Sequence, residues 1–125
     1  MAKLKEIVID SINPSKLAVF WAQVLDGYAV RPYDDQEITR LKRLGFTPET
    51  DPTVAVDGPG PTLFFQKTDA EKVAKNRIHL DIRGGNRVEE VQRLSALGAS
   101  VRDTHETFTV MLDPEGNEFC VQNPT

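Results

Sequence analysis

Several features that usually direct a functional assignment are scarce in this chain. It has one cysteine in 125 residues, so no internal disulfide can form, which suits a reducing cytoplasm. Basic residues are outnumbered: 15 Lys and Arg stand against 19 Asp and Glu, for a net charge of -4 and a pI near 5.1. Nucleic acid is therefore excluded as a main partner, because phosphate binding needs clustered cations. No apolar run approaches the ~20 residues of a membrane span, so no membrane partner is expected. Residues 1–7 run straight into a strand pattern, without the apolar core of a secretory leader. One Trp, two Tyr and six Phe leave little for a large stacking platform.

What is present is ordinary for a globular protein: 39% hydrophobic and 27% charged residues, in a length that suits one domain with its own core. The most informative stretch is residues 113–122, Asp-Pro-Glu-Gly-Asn-Glu-Phe-Cys-Val-Gln. Pro114 and Gly116 predict a tight turn, and an alternating strand follows. Phe119 and Val121 point one way in it; Glu118, Cys120 and Gln122 point the other.

The same alternation recurs along the chain. Residues 4–10 predict a strand with Ile7 and Ile9 on one face and Glu6, Val8 and Asp10 on the other. Asn13 and Pro14 predict a helix start, the stripe Leu17, Phe20, Trp21, Val24 and Leu25 its buried face, and Gly27 its end. Residues 28–33 read as a strand. A short helix capped by Asp35 would then put Ile38, Leu41 and Leu44 on one face. Strands over 53–56 and 62–67 flank the Gly58-Pro59-Gly60-Pro61 turn, and residues 69–76 form a polar connector. Residues 77–82 alternate again, with Ile78 and Leu80 opposite Arg77, His79 and Asp81. A helix from about Asn86 turns Val88, Val91, Leu94 and Leu97 inward and stops at Gly98. Strands over 100–102, 108–112 and 118–122 complete the chain.

This order is one pattern used twice, strand, helix and three strands. Residues 7–30 lie over 78–101 without a gap, matching Ile7 with Ile78, Asp10 with Asp81, Gly27 with Gly98 and Val30 with Val101. The reading is one α+β domain over residues 1–125 made of two βαβββ modules, the first about residues 3–67 and the second about 76–123.

Two such modules, a His opening the second and Asp-Pro-Glu-Gly-Asn before the last strand resemble the vicinal oxygen chelate superfamily. That group contains glyoxalase I, the extradiol dioxygenases and the bleomycin- and fosfomycin-resistance proteins. Phe64-Phe65-Gln66 followed by Lys75-Asn76-Arg77-Ile78-His79-Leu80-Asp81 resembles its glyoxalase-like domain branch. The resemblance implies a mixed sheet curved around a cavity, helices outside, and a homodimer. Glu6, Val8, Phe64, Gln66, His79, Asp81, Phe108, Glu118 and Cys120 would then be the pocket residues.

Metal-dependent members of the superfamily take one ligand from the first and one from the last strand of each module, usually His and Glu. Carried over by position, His79 matches the second-module His. The first-module His falls on Glu6 or, by the internal repeat, on Val8; the final Glu falls on Cys120, with Glu118 as a substitute of the same parity; the remaining ligand would be Gln66. Three of the set Glu6, Gln66, His79 and Cys120 depart from the usual type. The expectation is therefore a degenerate site with no cofactor; the ligand set, should zinc, nickel, manganese or iron bind, is His79, Glu6, Gln66 and Cys120. The expected function is binding of a small molecule in the cavity. The alternative is a lyase, isomerase or dioxygenase, metal-dependent or using Glu6 as base, His79 as acid and Gln66 as a donor to a substrate oxygen. Plainer readings stand beside these: His79 as a strand histidine bonded to Asp81 or Glu6, Cys120 as a small buried residue, Asp10 and Asp81 as turn or backbone partners, and His105 as an exposed loop residue.

Overall fold

The structure, a computed structural model, describes all of Met1–Thr125. It divides into two compact units, Met1–Ala70 and Glu71–Thr125. The first runs β1 (Glu6–Ser11), α1 (Pro14–Val24), β2 (Ala29–Val30), α2 (Asp35–Arg43), β3 (Thr53–Asp57) and β4 (Thr62–Lys67). The second runs β5 (Leu80–Arg83), α3 (Arg87–Leu97), β6 (Ser100–Thr104), β7 (Phe108–Leu112) and β8 (Glu118–Gln122). No helix is long and apolar enough to cross a membrane.

Each unit holds one four-stranded sheet, in the order β1-β4-β3-β2 and β5-β8-β7-β6. In both, the first strand pairs in parallel with the last, while the other pairings are antiparallel. A parallel pair cannot be closed by a tight turn, so a crossover helix is needed between the strands. The βαβββ pattern appears twice, with α2 as an insertion in the first copy.

Local chemistry sets the helix starts. Asn13 accepts from the Lys16 N–H at 3.2 Å, and Pro14 occupies the first turn, where its missing N–H costs nothing. Asn86 caps α3 in the same way, accepting from Glu89 N at 3.0 Å. Leu17, Ala18, Phe20, Trp21 and Val24 are buried, and α1 packs on β3 and β4. Val54, Val56, Leu63 and Phe65 supply the sheet side of that core. Each such side chain contributes about 1.5–3 kcal/mol on burial. The second core is smaller, centred on Leu94, Met111, Phe119 and Val121.

Several expected boundaries shift, for identifiable reasons. The strand expected over 28–33 is only Ala29–Val30, because Pro32 has no N–H to continue the ladder. The cap of α2 is Asp34 rather than Asp35: its carboxylate accepts from Glu37 N at 2.7 Å, the spacing an N-cap requires. The strand expected over 77–82 begins only at Leu80, where pairing with Phe119 starts. Before that point the Asn76 N–H donates to the Glu118 carboxylate instead of a neighbouring strand, and Ile78 is 78% exposed rather than inward. Val88 is 64% exposed because Arg87 takes the sheet-facing place in the first turn of α3.

The gapless repeat also needs correction. The two capping asparagines and the helices that follow them correspond two residues further along than that match allows. Trp21 thus corresponds to Leu94, whereas the gapless match would set Phe20 against Val91. The glycines coincide in the gapless match only because Leu25 and Asp26 intervene before Gly27, whereas Gly98 follows Leu97 directly. Glu6 and His79 stand equally far ahead of the two caps, as do Val8 and Asp81.

Candidate functional site

The second unit gathers the chemistry. Strand alternation puts His79, Asp81 and Arg83 on one side of the chain around β5. Register places Asp81 opposite Cys120 and Arg83 opposite Gln122 on β8. Next along, Val110 of β7 lies opposite Cys120 and Phe108 opposite Gln122. One face of this sheet therefore carries a polar cluster at its edge and apolar neighbours further in.

The cluster is His79, Asp81 and Cys120, whose potential ligand atoms lie within 4.8 Å of one another. His79 Nε2 is 3.2 Å from Asp81 Oδ1. His79 and Asp81 are exposed, while Cys120 is 8% exposed at the floor. Burial pushes the Cys120 thiol above its ordinary pKa, and the Asp81 carboxylate beside it acts in the same direction. Without a cation Cys120 is therefore a thiol that donates to Asp81, not a nucleophilic thiolate.

Glu118, the substitute of the same parity, is already committed. Its carboxylate accepts from Lys72 Nζ at 3.0 Å and from Asn76 N at 3.0 Å, and Arg102 stands 3.6 Å away. Burial alone would raise its pKa, but the Asn76 N–H and the Lys72 ammonium outweigh it and hold the carboxyl below its usual range. Glu118 ties the connector to the sheet, and both its oxygens are engaged.

The turn before β8 aims Cys120. Asp113, 4% exposed, accepts from Glu115 N at 2.9 Å, Asn117 N at 3.0 Å and Asn117 Nδ2 at 2.9 Å. Gly116 follows with φ of 86°, a left-handed conformation that favours glycine. A cavity of about 480 Å³ adjoins the cluster, lined by Asp81, Ile82, Arg83, Thr107, Gln122, Asn123 and Thr125. Arg87 reaches across from α3 to brace its wall, donating to the carbonyls of His105 and Glu106 and to Thr109 Oγ1 at 2.8–3.0 Å. Phe108 stacks on His105 with ring centres 4.5 Å apart.

The remaining expected site residues are in the first unit. Glu6 lies beside Thr62, Val8 beside Phe64, and Gln66 beside Asp10. Glu6 is partly buried with Lys5 3.6 Å away, while Val8 is 50% exposed. The expected residues thus form two groups, Glu6, Val8, Phe64 and Gln66 on one sheet, and His79, Asp81, Phe108, Glu118 and Cys120 on the other. Sequence reasoning missed Arg83, Thr107 and Asn123 as cavity residues, while it put Gln122 on the same strand face as Glu118 and Cys120. Arg83 was within reach: it continues the His79, Asp81 alternation one step past the expected strand end.

The donor set of the cluster fits a divalent ion. Imidazole, carboxylate and thiolate are all zinc ligands, and three protein donors leave a position open for a further oxygen. The presence of sulfur favours zinc over manganese or magnesium.

Comparison with known proteins agrees with the architecture. The chain matches the glyoxalase-like domain over residues 6–122. Among curated protein sequences none matches it. A glyoxalase/bleomycin resistance protein/dioxygenase family enzyme from Burkholderia phytofirmans PsJN aligns with a TM-score of 0.68 at 18% identity, covering 99% of this chain and 100% of that one. A mutant of the fosfomycin resistance protein FosX from Listeria monocytogenes, complexed with Mn(II) and 1S,2S-dihydroxypropylphosphonic acid, aligns with a TM-score of 0.68 at 13% identity, covering 100% and 92%. The trypanothione-dependent glyoxalase I of Leishmania major gives 0.63 at 17%, covering 99% and 88%. At these identities the structures speak for the fold alone. The domain match spans nearly the whole chain, and with it the chain belongs to the glyoxalase-like domain family.

Proposed function

We propose that the chain binds a small molecule on the open face of its second sheet, with His79, Asp81 and Cys120 holding a divalent ion of the zinc class beside it. One observation carries the reading: three different metal-ligating side chains converge within 4.8 Å at the rim of a cavity. The sequence alone led to an expectation of no metal, because Gln66 is a poor ligand and a Cys120 thiolate would be unusual for this fold. The third donor here is Asp81, which the positional carry-over did not include. When bound, the ion supplies Lewis acidity toward an oxygen of the small molecule. Asp81 orients the His79 ring, Cys120 supplies a donor from the buried floor, and the engaged Glu118 stays outside the set.

The test is direct. Chelator-stripped protein is titrated by calorimetry with zinc, nickel, manganese and ferrous ions, beside His79→Ala and Cys120→Ser. One zinc per chain should bind to the wild type, with affinity reduced by about tenfold or more in each variant, the scale on which ligand support acts. Wild-type protein that takes up no zinc would sink the metal part and leave a metal-free binder of small molecules. A homodimer and a cytoplasmic setting belong to the same reading. Exposed Val8, Ile38 and Leu44 support the first, and the free Cys120 suits the second. Light scattering on the eluting protein tests the dimer.

A further inference from the structure

We infer that Arg83 anchors an oxyanion subsite in the cavity next to the cluster, so that the small molecule carries a carboxylate, phosphate or phosphonate group. This rests on the reading that this face binds a small molecule, and it adds the chemical class.

Arg83 differs from the arginines whose side chains are engaged. Arg31 is paired with Asp57, Arg40 with Glu37, Arg93 with Glu90, and Arg87 with two carbonyls and a hydroxyl. The side chain of Arg83, like those of Arg43 and Arg77, has no hydrogen bond or ion pair, but Arg83 is the arginine that lines the cavity. Its planar fork suits the two oxygens of a carboxylate or phosphate. Gln122 lies directly opposite it in the sheet, and Asn123 and Thr107 line the same space, adding neutral donors around an anion.

The wall is held in place. Asn123 N donates to the Thr107 carbonyl at 3.0 Å, and Arg87 grips the two residues before Thr107. Asp81, an opposing charge, also lines the cavity; its carboxylate is engaged by His79 at 3.2 Å. Asp81 and Arg83 are two residues apart on one strand, a spacing of roughly 7 Å. A ligand with an oxyanion at one end and a donor oxygen a few bonds away would meet both Arg83 and the cluster. The cavity's volume of about 480 Å³ has room for a small organic acid or phosphate-bearing compound.

The experiment titrates the full chain with succinate, inorganic phosphate and uncharged succinamide, in chelated and in zinc-treated form. Calorimetry gives affinity, and amide NMR shifts at Thr107 and Asn123 give location. At least one anion should bind, succinamide should not, and which anion binds separates carboxylate from phosphate recognition. Arg83→Gln should weaken the anion by about tenfold or more, as loss of a charged hydrogen-bonding partner does, with Arg83→Lys between. Arg83→Gln should still take up one zinc per chain, so that its loss of anion binding is not a loss of the cluster. If neither anion binds the wild type, or Arg83→Gln binds it unchanged, the subsite is overturned. Anion binding that depends on Arg83 in a protein that takes up no zinc would sink the metal reading while leaving the subsite standing. Zinc uptake without anion binding would do the reverse.

Discussion

Tyr33 shows how a single side chain can link stability to pH. Its hydroxyl donates to Asp51 at 2.7 Å, and Asp51, 4% exposed, also accepts from Thr53 N at 3.0 Å. Burial first, and then the Asp51 hydrogen bond, raise the Tyr33 pKa well above its ordinary 10.0. A raised folded pKa means the bond's contribution is fully present below pH 10. Above that the unfolded chain ionises first, and the contribution is lost as pH climbs toward the folded value. Tyr33→Phe should cost about 1–3 kcal/mol near neutral pH, because Asp51 keeps one partner fewer in a buried place. Urea unfolding at pH 7, 10 and 11.5 should show the gap between wild type and variant narrowing with pH. A gap that is constant across the three would mean the bond does not set this dependence.

Elements depend on their joints more than on their propensity. The turn from β7 to β8 is closed by Asp113 N donating to Asn117 O and Gly116 N donating to Asp113 O, each at 2.9 Å. Gly116→Ala forces a Cβ into a left-handed conformation, at a cost of about 1–2 kcal/mol. Since this turn aims Cys120, the substitution should weaken zinc binding as well as lower the denaturation midpoint; intact zinc affinity in the destabilised variant would separate turn from site. Arg87 is the other joint. Arg87→Ala removes two donations to the β6–β7 connection and one to Thr109 of β7, and hydrogen exchange at His105, Thr107 and Asn123 should quicken while the interior of α1 keeps its protection. Equal acceleration in both places would point to global destabilisation instead.

For the whole molecule, a metal or ligand that binds only the folded state would stabilise it by mass action. Zinc at a hundred times its dissociation constant should add about 2.7 kcal/mol of stability. Thermal unfolding should therefore rise by several degrees in wild type and stay level in His79→Ala. A rise of the same size in the variant would place the binding elsewhere. The two units are unequal in how richly their helices are packed: α1 buries six residues, whereas α3 buries only Leu94. The second unit, which holds the cluster, thus has the thinner core.

By itself the sequence determined the two modules, because caps, glycine stops and strand alternation are settled by residues a few positions apart. Asn13 and Asn86 start their helices wherever the rest of the chain lies, and period-two alternation already put Glu118 and Cys120 on the opposite side from Phe119 and Val121. Tertiary structure decided the rest, because cross-strand neighbours follow from register between segments distant in the chain. It set Asp81 opposite Cys120 and so brought a residue read from the sequence as a pocket, turn or His79 partner within 4.8 Å of the donor atoms of both His79 and Cys120. It committed Glu118 to Lys72 and Asn76, which no local pattern foretold. It also left Arg83 without a partner beside a cavity, and a missing partner is a property of the folded neighbourhood that residue order does not encode.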